Sequence, residues 1–282
     1  MPSDPLASAR DRFVTIGTQK LHYRDVGDPA APPVVMLHGI MGHAREWDVL
    51  VGALAGDHRM IVLDQRGHGE SDWSDDYTAS ALADDLLGLI GHVGLLRTSV
   101  IGHSMGGMAA LLAAERRPEV VDRLVVVDVG PDIVSKGLAP GVAEFMTTLA
   151  SRAYATVDEA CAEWTDPLAR PQLLRHYVVN CLRTRPDGRL VWRFDGAGLV
   201  RFLDSVSEAE LWKAVDHIAC PALVVRGAHS PVLSAETADA MVRRFADGRG
   251  AVIPDGAHDL GVERPEAVAA VTERFFADVA TR

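Results

Sequence analysis

Residues 100–108 read Val-Ile-Gly-His-Ser-Met-Gly-Gly-Met, and at their centre Gly102, Ser104 and Gly106 spell Gly-x-Ser-x-Gly. The β-branched run before it, Thr98 to Ile101, favours a strand. The Ala- and Leu-rich stretch after it, Met108 to Arg117, favours a helix. A serine caught between the two occupies a tight strand-to-helix turn, which small flanking residues permit. Its hydroxyl is pushed off the end of a sheet, beside the positive end of a helix, where a nucleophile is useful. The bland alternative is a small-residue turn that packs a helix on a strand. The strand before and the helix after favour the elbow.

Strand-like segments recur on both sides of this turn. Arg12 to Ile16 and Lys20 to Val26 alternate in polarity and are joined by Gly17-Thr18-Gln19, an antiparallel hairpin. Near-continuous apolar runs, typical of buried parallel strands, follow at Pro33 to Leu37, Met60 to Leu63, Ser99 to Ile101, Leu124 to Val127, Ala222 to Val225 and Ala251 to Ile253. Between them lie helical patterns. Tyr77 to Val93 places Leu82, Leu86, Leu89, Ile90 and Val93 on one face, opposite Asp84 and Asp85. Ser234 to Phe245 and Pro265 to Ala280 are built alike. This alternation predicts an α/β fold with a mostly parallel, doubly wound sheet.

One interval breaks the rhythm. From Val129 to Ala222 the chain runs far longer than a crossover helix needs. It holds Tyr154, Trp164, Tyr177, Trp192, Phe194 and Trp212, with breaks at Pro167, Pro171, Pro186-Asp187-Gly188 and Gly196. No flexible linker flanks it, so it reads as an inserted helical cap, residues 131–215, on a core formed by residues 1–130 and 216–282.

Composition narrows the class. Of the 282 residues 48% are apolar, enough to cover both faces of such a sheet. A formal charge of −11 with no Lys/Arg cluster argues against nucleic acid or an anionic membrane surface as partner. No apolar run is long enough to span a membrane. The first dozen residues show no basic segment followed by an apolar core, so a cytoplasmic protein is expected, as a monomer or homodimer. Cys161, Cys181 and Cys220 fit neither a disulfide framework nor a zinc site and read as reduced and mostly buried. His43, His68 and His229 lack metal-ligand spacing with carboxylates, so no metal is expected.

Two further segments converge on the elbow. A Gly-rich turn, His38-Gly39-Ile40-Met41-Gly42, ends a neighbouring parallel strand. Its backbone, through Gly39 and the Ile40 N–H, can face the same point as the Met105 N–H and supply two donors to a developing oxyanion. His38 itself reads as a scaffold hydrogen bonder. After the last strand comes Pro254-Asp255-Gly256-Ala257-His258-Asp259, and its small Gly-Ala approach lets the loop press close enough for His258 to act as a base. Most of the 11 histidines are expected at the surface or in structural roles. Trp47 and the cap aromatics either line an apolar substrate pocket or belong to the core.

Taken together, these segments resemble the α/β-hydrolase superfamily almost from end to end: the elbow, the His38-Gly39 turn, the Asp64-Gln65-Arg66-Gly67-His68-Gly69-Glu70-Ser71 loop and the Gly256-Ala257-His258 ending. Ser104 at the elbow is similar to the ester- and lactone-cleaving branch; haloalkane dehalogenases and epoxide hydrolases carry an aspartate there. The resemblance implies a capped α/β-hydrolase fold, no cofactor, and a small, apolar to moderately polar carbonyl substrate. It also implies an acid after the strand Ala222–Val225, within Gly-x-x-Asp or one residue later. This chain instead reads Gly227-Ala228-His229-Ser230-Pro231-Val232, with no carboxylate.

The nearest substitute is Asp128, at the end of the strand Leu124–Val127, from which some members of the superfamily take their acid. A carboxylate buried there must meet a cation or hydrogen-bond donors. Asp128 otherwise anchors the first turn of the cap. Asp255, Asp259 and Glu263 compete from the histidine's own loop and are expected to face solvent, while Arg66 is expected to clamp neighbouring carbonyls or carboxylates. The reading is a serine hydrolase of small esters, lactones or related acyl compounds, with Ser104, His258 and Asp128 as nucleophile, base and acid and an acyl-enzyme on the path. The alternative is a cofactor-independent oxygenase, or a C–C bond hydrolase or lyase, that uses the same three residues for proton abstraction. A third is a binding protein that has lost its acid.

Overall fold

The computed structural model describes residues 5–280. The hairpin comes first: β1 (Arg10–Ile16) and β2 (Gln19–Val26), antiparallel and turned at Gly17, whose φ of 60° suits a residue without Cβ. Then strands and helices alternate as β3 (Pro33–Leu37), α1 (Asp48–Leu54), β4 (Arg59–Leu63), α2 (Ala79–Val93), β5 (Thr98–His103), α3 (Met105–Arg116) and β6 (Val121–Val127). The chain next leaves the sheet for α4 (Ala139–Ala150), α5 (Val157–Glu163), α6 (Pro171–Asn180), the hairpin β7 (Leu182–Thr184) and β8 (Leu190–Trp192), α7 (Gly196–Ser205) and α8 (Glu208–His217). It returns through β9 (Ala222–Gly227), α9 (Ala235–Arg244), β10 (Gly248–Ile253), α10 (Leu260–Glu263) and α11 (Pro265–Ala280).

Eight strands form one sheet in the order β1-β2-β4-β3-β5-β6-β9-β10. The β1–β2 and β2–β4 pairs are antiparallel and all the others parallel. β5, with the elbow at its end, is therefore a central strand, flanked by β3 and β6. Alternation along each strand feeds two apolar layers. Val35, Leu37, Val100 and Val126 pack with Leu86 and Leu89 of α2 and with α3; Val34, Met36, Ile101 and Val125 pack with Leu50 of α1 and Phe275 of α11. This double covering is why the central strands read as unbroken apolar runs.

Differences from the sequence reading are local. The interval read as a helical cap also contains the short β7–β8 hairpin. Helix α3 starts at Met105, ahead of its Ala/Leu-rich run, because the Ser104 carbonyl accepts the Gly107 and Met108 N–H groups at 2.9 and 3.1 Å. Helix α2 is capped by the Thr78 side chain and closed by Gly94 in the left-handed region. Its Asp85, read as facing solvent with Asp84, is 2% exposed. Arg66 explains this: its guanidinium donates from Nε and Nη2 to the two Asp85 carboxylate oxygens at 2.6 and 2.8 Å, and from Nη1 to the Asp76 carbonyl at 2.7 Å. The long arginine reaches under the helix and makes an inward aspartate tolerable. Cys181 and Cys220 are buried, Cys161 is partly so, and all three are free thiols. No helix among the described residues is long and apolar enough to cross a membrane. Residues 1–4 of the segment inspected for a leader lie outside the described residues.

The Arg66–Asp85 pair gives the fold a measurable dependence. Arg66→Ala leaves a buried carboxylate alone and is expected to destabilise the protein by about 3–5 kcal/mol, whereas Arg66→Met combined with Asp85→Leu recovers most of the loss. The denaturant midpoint reads both; an unchanged midpoint in the single variant would contradict the assignment.

Candidate active site

The elbow is built by exclusion. Ser104 stands alone between β5 and α3 with φ 49° and ψ −116°, outside the usual range for a residue with a side chain. A Cβ on Gly106 would lie 2.6 Å from the His38 carbonyl oxygen and 2.6 Å from Leu37 Cβ; one on Gly102 would lie 2.4 Å from the Gly106 carbonyl oxygen. Both glycines of the pattern are thus required by close approach. The turn is also tied down, the Ser104 N–H donating to Val127 at 3.0 Å and the Gly106 N–H to His38 at 3.2 Å.

The structure brings Ser104, His258 and Asp128 together. The Ser104 hydroxyl oxygen is 3.2 Å from His258 Nε2, and His258 Nδ1 is 2.8 Å from Asp128 Oδ2. Because a carboxylate only accepts, Nδ1 carries the proton and Nε2 is left free to take one. Asp128 immediately follows β6, adopts φ 50°, and has no solvent exposure. Its Oδ1 accepts the Gly227 N–H at 2.9 Å, and its Oδ2 accepts the Ser230 hydroxyl at 2.5 Å as well as the imidazole. The buried charge is met by donors on every side.

Topology explains how an acid can sit here. β6 and β9 are adjacent and in parallel register, with Val127 opposite Val225, so the first residues beyond both strands occupy one small volume. The position after β9 holds Ser230. Its Oγ accepts the Val232 and Leu233 N–H groups at 3.1 and 2.9 Å, which leaves its proton for Asp128. Sequence reading noted the serine only as a missing acid. The signal for its role was present: a hydroxyl at the vacated position facing a carboxylate on the neighbouring strand.

The competing carboxylates separate. Asp255 is exposed, and Asp259 is partly exposed on the cavity wall. Glu263, expected to face solvent, is instead 3% exposed. It turns back to accept the Ala257 and Asp259 N–H groups, and burial raises its pKa. Glu263 therefore braces the His258 loop, because two amides at the start of α10 would otherwise be unpaired.

Gly39, Ile40, Met105, Ser104 and His258 border one cavity. No hydrogen bond among the described residues occupies the Ile40 or Met105 N–H. The loop that carries Ile40 is held by His38, whose Nε2 accepts the Gln65 N–H at 3.0 Å, while Gln65 Nε2 donates to the His38 carbonyl at 2.6 Å. Complete burial drives the His38 pKa far down, so it serves as a neutral scaffold. Trp47, put forward as a substrate-binding residue, does not reach the cavity. The short 3₁₀ turn Ala44–Trp47 directs its indole into the core with Leu50, Val51 and Leu260. There it also makes a T-shaped contact with the His103 ring, at 6.3 Å between centroids.

Two residues went unread in the sequence, His103 and Glu46. His103 occupies the variable position just before the nucleophile. Its Nε2 donates to the His258 carbonyl at 2.8 Å, and its Nδ1 lies 3.8 Å from Glu46 Oε1, both side chains being nearly inaccessible. Burial by itself would lower the His103 pKa; the Glu46 carboxylate, with Asp259 and Asp128 behind it, overcomes this and raises it to about 9. His103, His258 and Asp259 also bring potential ligand atoms within 4.8 Å of one another. With both His103 nitrogens turned to acceptors, that set does not suit a metal ion.

The cavity over Ser104 measures about 270 Å³ and is walled by Met108, Ile133, Leu138, Val142, Phe145, Trp164, Phe202 and Leu203. Of the aromatic residues singled out between Tyr154 and Trp212, only Trp164 lines it. Tyr177 and Trp192 back Trp164 at 5.2 and 5.4 Å, and Trp212 lies elsewhere, under Arg244. Beside His258 the wall changes character to Glu163, Thr165, Asp166 and Asp259. A larger cleft of about 360 Å³ lies away from Ser104, among residues such as Arg24, Arg193, Asp11 and Glu70, and contains no nucleophile of this kind.

Known proteins share this arrangement of elements. The family model for the alpha/beta hydrolase fold matches residues 32–265. The 3-hydroxybutyrate-oligomer hydrolase of Cupriavidus necator is 31% identical, covering 92% of this chain and 94% of its own length. The sn-1-specific diacylglycerol lipase ABHD11 of Mus musculus is 29% identical over 85% of this chain and 79% of its own. Among solved structures, E-2-(acetamidomethylene)succinate hydrolase superposes with a TM-score of 0.88 at 25% identity, covering 95% of this chain and 99% of that one. From its eight-stranded sheet to the serine turn at its centre, this chain belongs to the α/β-hydrolase family.

Proposed function

We propose that this protein is a serine hydrolase that cleaves a small ester, lactone or related acyl compound through an acyl-enzyme, without a cofactor. The observation that carries the proposal is the unbroken chain from Ser104 Oγ through His258 to Asp128, opening into an apolar cavity. The names of similar proteins support ester chemistry, among them a diacylglycerol lipase and the Escherichia coli esterase YbfF, 28% identical over 87% of this chain and 93% of its own.

In this mechanism the Ser104 oxygen attacks the substrate carbonyl as its proton passes to His258 Nε2. The carbonyl oxygen becomes an oxyanion between the Ile40 and Met105 N–H groups, the latter at the positive end of α3. Collapse of the intermediate breaks the bond to the leaving group, which takes the proton from His258. Water, deprotonated by the same imidazole, then releases the acid and restores Ser104. Asp128 holds the Nδ1–H tautomer throughout and stabilises the transient imidazolium. Residues 131–215 act as a cap whose apolar side chains receive the acyl part. The substrate is therefore a small carbonyl compound of apolar to moderate polarity.

A fluorophosphonate probe tests the proposal: it is expected to label the native protein and to leave Ser104→Ala unmodified. A native protein that is folded yet neither labelled nor able to hydrolyse p-nitrophenyl acetate would overturn it and favour proton-abstraction chemistry. Asp128→Asn should lower kcat by ~1,000-fold or more through the wrong imidazole tautomer; a loss of only a few-fold would place the acid elsewhere. Ser230→Ala removes one donor to Asp128 and should lower kcat by about tenfold, equivalent to one hydrogen bond to a charged group, with KM nearly unchanged.

A further inference from the structure

We infer that Glu46 and His103 form a buried ionic clamp that positions the His258 loop and the oxyanion loop against the elbow, a role that rests on the hydrolase reading above. Three segments must meet for that chemistry: the turn after β3, the elbow after β5, and the loop after β10. They come from separate strands, and the pair touches all three. His103 directly precedes Ser104, and its Nε2 donates to the His258 carbonyl at 2.8 Å, with the two imidazole rings 4.8 Å apart. Towards the β3 turn, a Cβ on Gly39 would lie 2.7 Å from His103 Nδ1, and a Cβ on Gly42 would lie 2.3 Å from Glu46 Oε2. The glycines of the oxyanion loop are thus spaced to receive this pair.

The contacts favour the charged form. Both groups that face the His103 nitrogens are acceptors: the His258 carbonyl takes a hydrogen bond at 2.8 Å, and the Glu46 carboxylate makes an ion-pair contact at 3.8 Å. A neutral imidazole has a single donor, while the cation has two. The imidazolium donates to the His258 carbonyl and at the same time presents the positive charge that the Glu46 carboxylate faces. The groups that face it are Glu46 from the turn before α1, Asp259 and His258 from the loop after β10, and Asp128 from the end of β6. Three of the four are carboxylates. A buried pair of this kind adds little to stability, but it fixes one arrangement against alternatives.

The sign of the pH dependence follows. The folded pKa of His103 is raised from 6.5 to about 9, so the clamp is complete below the ordinary value and is lost as pH rises through about 9. Stability and kcat should both fall along that limb.

Glu46→Gln is the decisive variant, because it keeps shape and volume while it removes the anion. We expect kcat to fall by ten- to a hundredfold, the scale of a misplaced catalytic group, with KM changed less than twofold. The alkaline limb of the kcat profile should move down by a pH unit or more, and Glu46→Asp should restore part of both. A loss of kcat with the limb in its native place would reduce Glu46 to a packing residue and overturn the clamp; so would native kinetics. Should Glu46→Gln fail to fold, NMR titration of the histidine rings in the native protein decides. The His103 ring, assigned through its backbone, should remain protonated at pH 8, and a ring neutral at that pH overturns the inference. This titration needs no turnover, so a protein that fails to label with fluorophosphonate would sink the hydrolase reading while the ring still reports on the clamp.

Discussion

The contact on which the site depends is the one between Gly106 and the end of β3. No side-chain atom fits there: the carbonyl oxygens of Leu37 and His38 lie 2.8 and 2.6 Å from where a Cβ would be. This approach seats the first turn of α3 against the neighbouring strand and aims Ser104 outward. It also sets the distance between Ser104 and the Ile40 amide, since His38 belongs to both the contact and the loop. A second close approach works in the same way on the far side. A Cβ on Gly227 would lie 1.9 Å from the Ala257 carbonyl oxygen, so this glycine lets the loop after β10 fold back over β9 towards the elbow. His258 thereby reaches a serine at the end of a strand three places away in the sheet order.

Charge is distributed around these contacts with care for solvation. Asp128 has no exposure, yet its oxygens receive one amide, one hydroxyl and one imidazole, none of them a permanent cation. The adjacent, parallel β6 and β9 bring Asp128 and Ser230 within hydrogen-bonding distance, and the serine donates to the carboxylate it faces. The buried His103 ring lies 4.8 Å from that of His258.

Much of this was legible in the sequence because it is local. The alternation of strands and helices, the elbow, the glycine turn after β3 and the histidine after the last strand announce themselves through periodicity and through residues that a tight backbone demands. Asp128 came from the resemblance, as a carboxylate at a strand end that some members of the superfamily use, in a chain where the usual one was absent. What escaped was decided by reach and burial between distant segments. Helical phase alone turned Asp85 outward, but Arg66 draws it in. Trp47 could be read as pocket or core, and a single turn of 3₁₀ helix chose the core. Glu263 looked like surface charge until two unpaired amides claimed it. Glu46 and His103 are 57 positions apart, and neither has any neighbour in sequence that hints at the other.

The backbone at the site carries one more consequence. Ser104 and Asp128 both hold positive φ, a region that glycine enters freely and that asparagine and aspartate enter more readily than most residues with side chains. At Ser104, with φ 49° and ψ −116°, the chain is locally strained, and the surrounding structure supplies the stability that keeps it there. A glycine at position 104 would relax that strain but would carry no hydroxyl. On the hydrolase reading proposed above, durability and chemistry pull against each other at that one residue.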